Sequence, residues 1–138
     1  MHPVVYAAQQ WLGTPFAHQA SCLGQGCDCL GLVRGVWRML HGDETFEVPL
    51  YAPRWRVWKN DARLQDGLAA QLEVVACDQV YIGAVLGFAI GQSETVNHLG
   101  IASKDTRMIH CNSRSGVIET NINEHWLRLL KAQYLFPI

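Results

Sequence analysis

Apolar positions recur with a helical period through the first part of this chain and with a period near two after residue 83. Val4, Ala7, Ala8, Trp11 and Leu12 share one side of a predicted short helix over 4–12. Gly13-Thr14-Pro15 ends it, and a loop rich in glycine and small polar residues is expected over 13–27. Asp28 is a strong N-cap type and opens a second helix over 29–40. That helix is apolar nearly all round, leaving only the stripe Gly31, Arg34, Gly35 and Arg38, so it belongs in the middle of a domain. Each glycine inside it costs about 1 kcal/mol, which predicts another element approaching closely there. The stretch 48–58, with two prolines and three aromatics, is expected to be a surface loop clamped by its own rings. A helix over 61–72 follows. Strands are expected over 84–90, 98–103, 107–111, 116–119 and 129–136. Helices first and antiparallel strands after predict one α+β domain over 1–138.

Composition narrows the possibilities. Apolar residues make up 49% of the chain and charged residues 17%, which excludes disorder. The net charge of −1 gives no reason to expect nucleic acid as a partner. No run approaches the ~20 apolar residues of a membrane helix, so no membrane insertion is expected. The start Met1-His2-Pro3-Val4 lacks the marks of a secretory signal, so synthesis in the cytoplasm is expected. Five cysteines, an odd number, argue against a disulfide framework. Cys22, Cys27 and Cys29 lack the paired spacing of a zinc site, so neither metal nor cofactor is expected. Cys77 and Cys111 fit small core residues, and His2, His41 and His125 fit the surface.

The chemistry concentrates at Cys29. In the first turn of a helix, backbone N–H groups and the positive end of the dipole favour a thiolate. His98 and His110, in strand-like segments, offer a base and an orienter. A turn at 103–105 would set His98 directly opposite His110, with Cβ atoms roughly 5 Å apart. Alternation puts His98, Gly100 and Ala102 on one face, and these small residues would let the helix carrying Cys29 pack there. The plainer alternatives are a buried structural cysteine, an edge-strand histidine and, for His18, a loop histidine.

Gly13-Thr14-Pro15-Phe16, then Asp28-Cys29-Leu30-Gly31-Leu32-Val33, then His98-Leu99-Gly100-Ile101 and Ile109-His110 follow one another in order. In that order and spacing they resemble the NlpC-type cell-wall peptidases, a papain-like family of cysteine peptidases, in its phage-tail or gene-transfer-particle branch. The resemblance implies a papain-like fold with the nucleophile opening a buried helix packed on a C-terminal antiparallel sheet. It implies Cys29 as nucleophile, His98 as general base and His110 as the residue orienting the imidazole. Asp28, Leu30, Phe16 and His18 would lie at the substrate and oxyanion side, with the Cys29 N–H as oxyanion donor. The substrate implied is the peptidoglycan stem peptide, cut next to D-glutamate. The partners implied are tail-hub or tail-fibre proteins of a phage-like particle; the Tyr51–Trp58 loop, which carries aromatics and arginines, is a candidate docking surface for them. The chain would be assembled into a tail tip and act in the wall or periplasm of a target cell.

This sequence departs from the family pattern at Phe16, where Tyr is usual, and at Leu30, where Ser is common. Ala84 stands in place of an aspartate, and Cys27 beside the nucleophile pair is unusual. Two alternatives stay open: a tail-tip docking component with weak or lost activity, and a related papain-like amidase. Lipid acyltransferases of this fold place the histidine before the cysteine, so the order here counts against them.

Overall fold

A computed structural model of the chain describes residues 1–48 and 60–138. Helix α1 (Pro3–Gln9) starts on a proline, whose missing N–H costs nothing at that position. His2 caps it, its Nδ1 accepting the Val4 N–H at 3.2 Å. Its imidazole also covers Gly83 so closely that a Cβ there would collide with the ring. His2 is therefore half-buried rather than a surface residue. Helix α2 (Cys29–His41) begins where Asp28 Oδ1 accepts the Gly31 N–H at 2.7 Å. Both of its glycines meet close neighbours, as the pattern predicted. A Cβ on Gly31 would collide with the Ala20 carbonyl, and one on Gly35 would sit inside the Trp11 indole.

Between these helices the expected loop contains a small hairpin, β1 (Ser21–Cys22) with β2 (Gly26–Cys27). Next come α3 (Arg63–Gln71) and the short strand β3 (Glu73–Val75). The expected strands follow as β4 (Val85–Phe88), β5 (His98–Lys104), β6 (Arg107–Asn112) and β7 (Gly116–Asn121). A six-residue helix α4 (Glu124–Leu129) then precedes β8 (Leu130–Leu135). The main sheet is antiparallel throughout, in the order β3-β8-β4-β5-β6-β7. Its strands pair across large sequence separations, so β8 at the end of the chain closes against β3 and β4. Among the described residues, no helix is long and apolar enough to cross a membrane.

The sheet buries both faces. Val85, Leu99, Ile101, Ile109, Cys111 and Tyr134 form one core with Leu32, Val36 and Trp11 of the helical side. Ala84, Leu86, Phe88, Ala102 and Met108 form a second core, closed by Ile122, Trp126 and Leu129. Two expectations need correction here. Helix α2 covers the Leu99/Ile101 face and not the small-residue face carrying His98. The broad apolar surface of α2 removes more area from water against large aliphatic side chains, and α4 occupies the other face. The β5–β6 register also differs from that expected. Ala102 pairs with Met108 and Ile101 with Ile109, with a register shift between Ala102 and Lys104. Continued, this register sets His110 beside Gly100, where a Cβ on the glycine would lie 3.5 Å from that of His110. His98 and His110 thus share a face but stand diagonally across the two strands.

Of the cysteines, Cys111 is buried as expected, whereas Cys77 is exposed after β3. The Tyr51–Trp58 loop singled out from the sequence lies outside the described residues.

Candidate active site

Cys29 is the first residue of α2 and is 4% exposed. Its position is set by Asp28, whose carboxylate bonds two backbone amides. Oδ1 accepts from Gly31 N–H at 2.7 Å and Oδ2 from Gln19 N–H at 2.8 Å. One side chain therefore caps the helix and ties the preceding loop across its start. The loop is held again by Ser21, whose hydroxyl donates to the Gly31 carbonyl at 2.6 Å. Arg38 binds the Ser21 carbonyl at 2.7 Å, and Glu44 bridges Arg38 and Arg34. The two guanidinium groups hold the Glu44 carboxyl below its ordinary value against the opposing effect of burial. The nucleophile candidate thus opens a helix anchored on several sides.

The start of α2 lies against β6. The Cys111 thiol donates to the Cys27 carbonyl at 3.1 Å, and Gly13 N–H and Thr14 O bond Val117 on β7. Cys111 is held protonated by its contact with the Cys27 thiol and by burial. Its neighbour His110 points to the opposite face.

His98 opens β5 and is half-buried; His110 is 4% exposed. His98 Nε2 and His110 Nδ1 are 2.9 Å apart, and the rings stand nearly perpendicular at 83°. The two rings meet across the diagonal of β5 and β6, within reach of side chains of this length. Burial pushes the His110 pKa down to about 4, so its ring stays neutral near pH 7. The strand start before His98 is set by Asn97, whose amide bonds both the N–H and the carbonyl of Ile90 at 2.8 Å. Sequence reasoning brought Cys29, Asp28, His98 and His110 forward; it missed Asn97 and Trp126. The signal for Asn97 was its place immediately before His98 in a turn-rich stretch.

The remaining candidates occupy the rim or the interior. Phe16 is half-buried and bridges to Cys27, and His18 is half-buried in the loop before β1. Leu30 packs against the core and lines a concavity with Val33, Trp37, Leu64, Leu68 and Phe136, which contains neither histidine. Among the described residues, no three His, Cys, Asp or Glu side chains are grouped to hold a metal.

No family model matches the sequence, and no curated protein does. Solved structures do match. The NlpC/p60 domain of the peptidoglycan hydrolase SagA superposes with a TM-score of 0.64 at 18% identity, over 99% of this chain and 97% of that domain. The chain has the NlpC/P60 fold. An NlpC/P60 family protein from Bacillus cereus gives a TM-score of 0.65 at 18% identity, over 95% of this chain and 38% of its own. The peptidoglycan hydrolase RipB from Mycobacterium tuberculosis gives 0.60 at 14% identity, over 95% of this chain and 61% of its own. The chain therefore matches one isolated domain almost end to end but spans only part of the longer proteins. Within this fold the capped start of α2 that bears Cys29 lies against β6, and His98 and His110 form a bonded pair on β5 and β6. A helix-start thiol and a bonded imidazole pair are groups that nucleophilic catalysis uses.

Proposed function

We propose that this chain is a cysteine-type hydrolase of peptidoglycan stem peptides. The observation that carries the reading is the 2.9 Å contact between His98 Nε2 and a buried, neutral His110 Nδ1. In this reading His110 is the Nε2–H tautomer, its Nδ1 accepts from the Nε2–H of His98, and His98 Nδ1 is left as the basic nitrogen. In the reaction His98 Nδ1 takes the proton from the Cys29 thiol. The thiolate attacks the scissile carbonyl carbon, with the Cys29 N–H at the helix start supporting the oxyanion. The C–N bond breaks as the imidazolium gives its proton to the leaving amine. Water, deprotonated by His98, then cleaves the thioester and restores the thiol. Throughout the cycle His110 remains an acceptor, so the positive charge stays on His98.

The finer assignments belong to the same proposal. Cleavage falls next to D-glutamate, and the chain is made in the cytoplasm and carried on a phage-like tail tip. Tail-hub or tail-fibre proteins are its partners there, and it acts in the wall or periplasm of the target cell. The order and spacing of the Gly13–Phe16, Asp28–Val33, His98–Ile101 and His110 motifs support this reading. Delivery by a tail would raise the local concentration of the enzyme at the wall.

The test is digestion of purified sacculi by the wild-type chain and by Cys29→Ala, with mass spectrometry of released fragments, alongside stoichiometry in purified particles. Stem-peptide fragments from the wild type alone are expected. Intact sacculi, with the chain present on particles, would make it a docking component instead. Activity found free in the lysate, with no chain on particles, would make it a lysis enzyme.

A further inference from the structure

One side chain outside the proposed triad touches both of its histidines. Trp126 stacks on His98 with centroids 5.7 Å apart and planes 27° from parallel. It meets His110 edge to face at 5.5 Å and 80°. It also packs edge to face on Phe88 at 4.8 Å, and Phe88 is the β4 residue paired with His98. Trp126 is thus in ring contact with both partners of the 2.9 Å hydrogen bond and with the residue that backs one of them.

The helix that carries Trp126 has little else to do in the core. None of the six residues of α4 is fully buried, and Trp126 and Leu129 are the two that pack against the second core. Its cap is aimed at the same residue: Asn123 Oδ1 accepts the Trp126 N–H at 3.0 Å. The cap therefore fixes the backbone from which the indole projects. A hydrogen bond between two neutral rings has a small net worth where water can compete for it, and more where water is kept away.

We propose that Trp126 is a positioning residue that roofs the His98–His110 hydrogen bond, excluding water from it and holding the two imidazoles in their perpendicular arrangement. Trp126 touches neither the thiol nor the scissile bond in this proposal; it acts through the histidines. The kinetic consequence rests on the hydrolase reading above, whereas the spectroscopic one does not. Removing the indole lets water compete for His98 Nε2 and lets the imidazole rotate. Fewer molecules then present Nδ1 to the thiol, which lowers turnover without changing how the peptide is bound.

The experiment compares wild type, Trp126→Ala and Trp126→Phe, with histidine labelled by nitrogen-15. In the wild type the shared imidazole proton is expected as a slowly exchanging downfield signal. Trp126→Ala should lose that signal to exchange with water. On peptide substrate its kcat should fall roughly tenfold with KM within about twofold, and Trp126→Phe should restore both readouts in large part. If Trp126→Ala does not fold, Asn123→Gly, which frees the Trp126 backbone and keeps the indole, should show the same two effects in milder form. A folded Trp126→Ala that keeps the protected proton overturns the proposal, as does a loss that Trp126→Phe does not repair. If no variant, wild type included, cleaves any peptide, the hydrolase reading fails while the proton signal still decides the role of Trp126.

Discussion

His110 should make this protein lose stability in mild acid. Its ring is 4% exposed, and burial lowers its pKa from 6.5 to about 4. The unfolded chain therefore binds a proton at His110 more readily than the folded one does between those values. Stability is complete above about pH 6.5 and is lost as pH falls through that window. At 1.36 kcal/mol per unit, the full effect of His110 is about 3 kcal/mol, of which about 2 kcal/mol is lost by pH 5. For a domain of this size that is a fall in Tm of roughly 5–8 °C between pH 7 and pH 5. Stopping at pH 5 keeps clear of Glu44 and Glu119, whose carboxyls are held below their ordinary values by Arg34 and by Ser103 with Arg107, against the effect of burial. The assay is thermal unfolding of wild type and His110→Asn across this range. The variant starts lower because it removes ring volume, so the slopes are compared rather than the absolute values. Parallel curves for the two proteins would refute the reasoning.

Three further outcomes follow from the geometry. Cys29→Ala should abolish hydrolysis while leaving the fold intact, whereas Cys22→Ala and Cys27→Ala should keep most activity on the same substrate; equal losses at Cys27 and Cys29 would sink the nucleophile assignment. His98→Ala should cost as much activity as Cys29→Ala, and His110→Asn less, because an amide oxygen can still accept from His98 Nε2; steady-state rates on folded variants separate the two. Gly35→Ala places a methyl group in the ring of the buried Trp11 and should cost about 1–3 kcal/mol in chemical denaturation. An unchanged midpoint would show that α1 can slide away from α2.

The beginning of α2 was legible in the sequence because its causes are local. Asp28 caps an amide three residues on, and the apolar pattern around Gly31 and Gly35 showed that something must approach that helix. The β1–β2 hairpin and β3 escaped because each strand is two or three residues long, too short for alternation to register. Helix α4 escaped because its side chains are mostly exposed, so its apolar residues show no helical stripe.

The sheet register lay beyond sequence reasoning for a sharper reason. Moving β6 by two residues keeps every side chain on its own face, so the pattern that identifies both strands is the same in either register. The shift between Ala102 and Lys104 selects one, and in that register the two histidines stand diagonally and bond. Which face α2 covers is also a tertiary outcome, since both faces of β5 are apolar enough to be buried. Local sequence thus determined which residues stand as candidates for the chemistry and where the helix of Cys29 starts. The meeting of His98 with His110, and the indole laid over them, depended on packing between segments far apart in the chain, where each contact is set by the volume and shape of its partners.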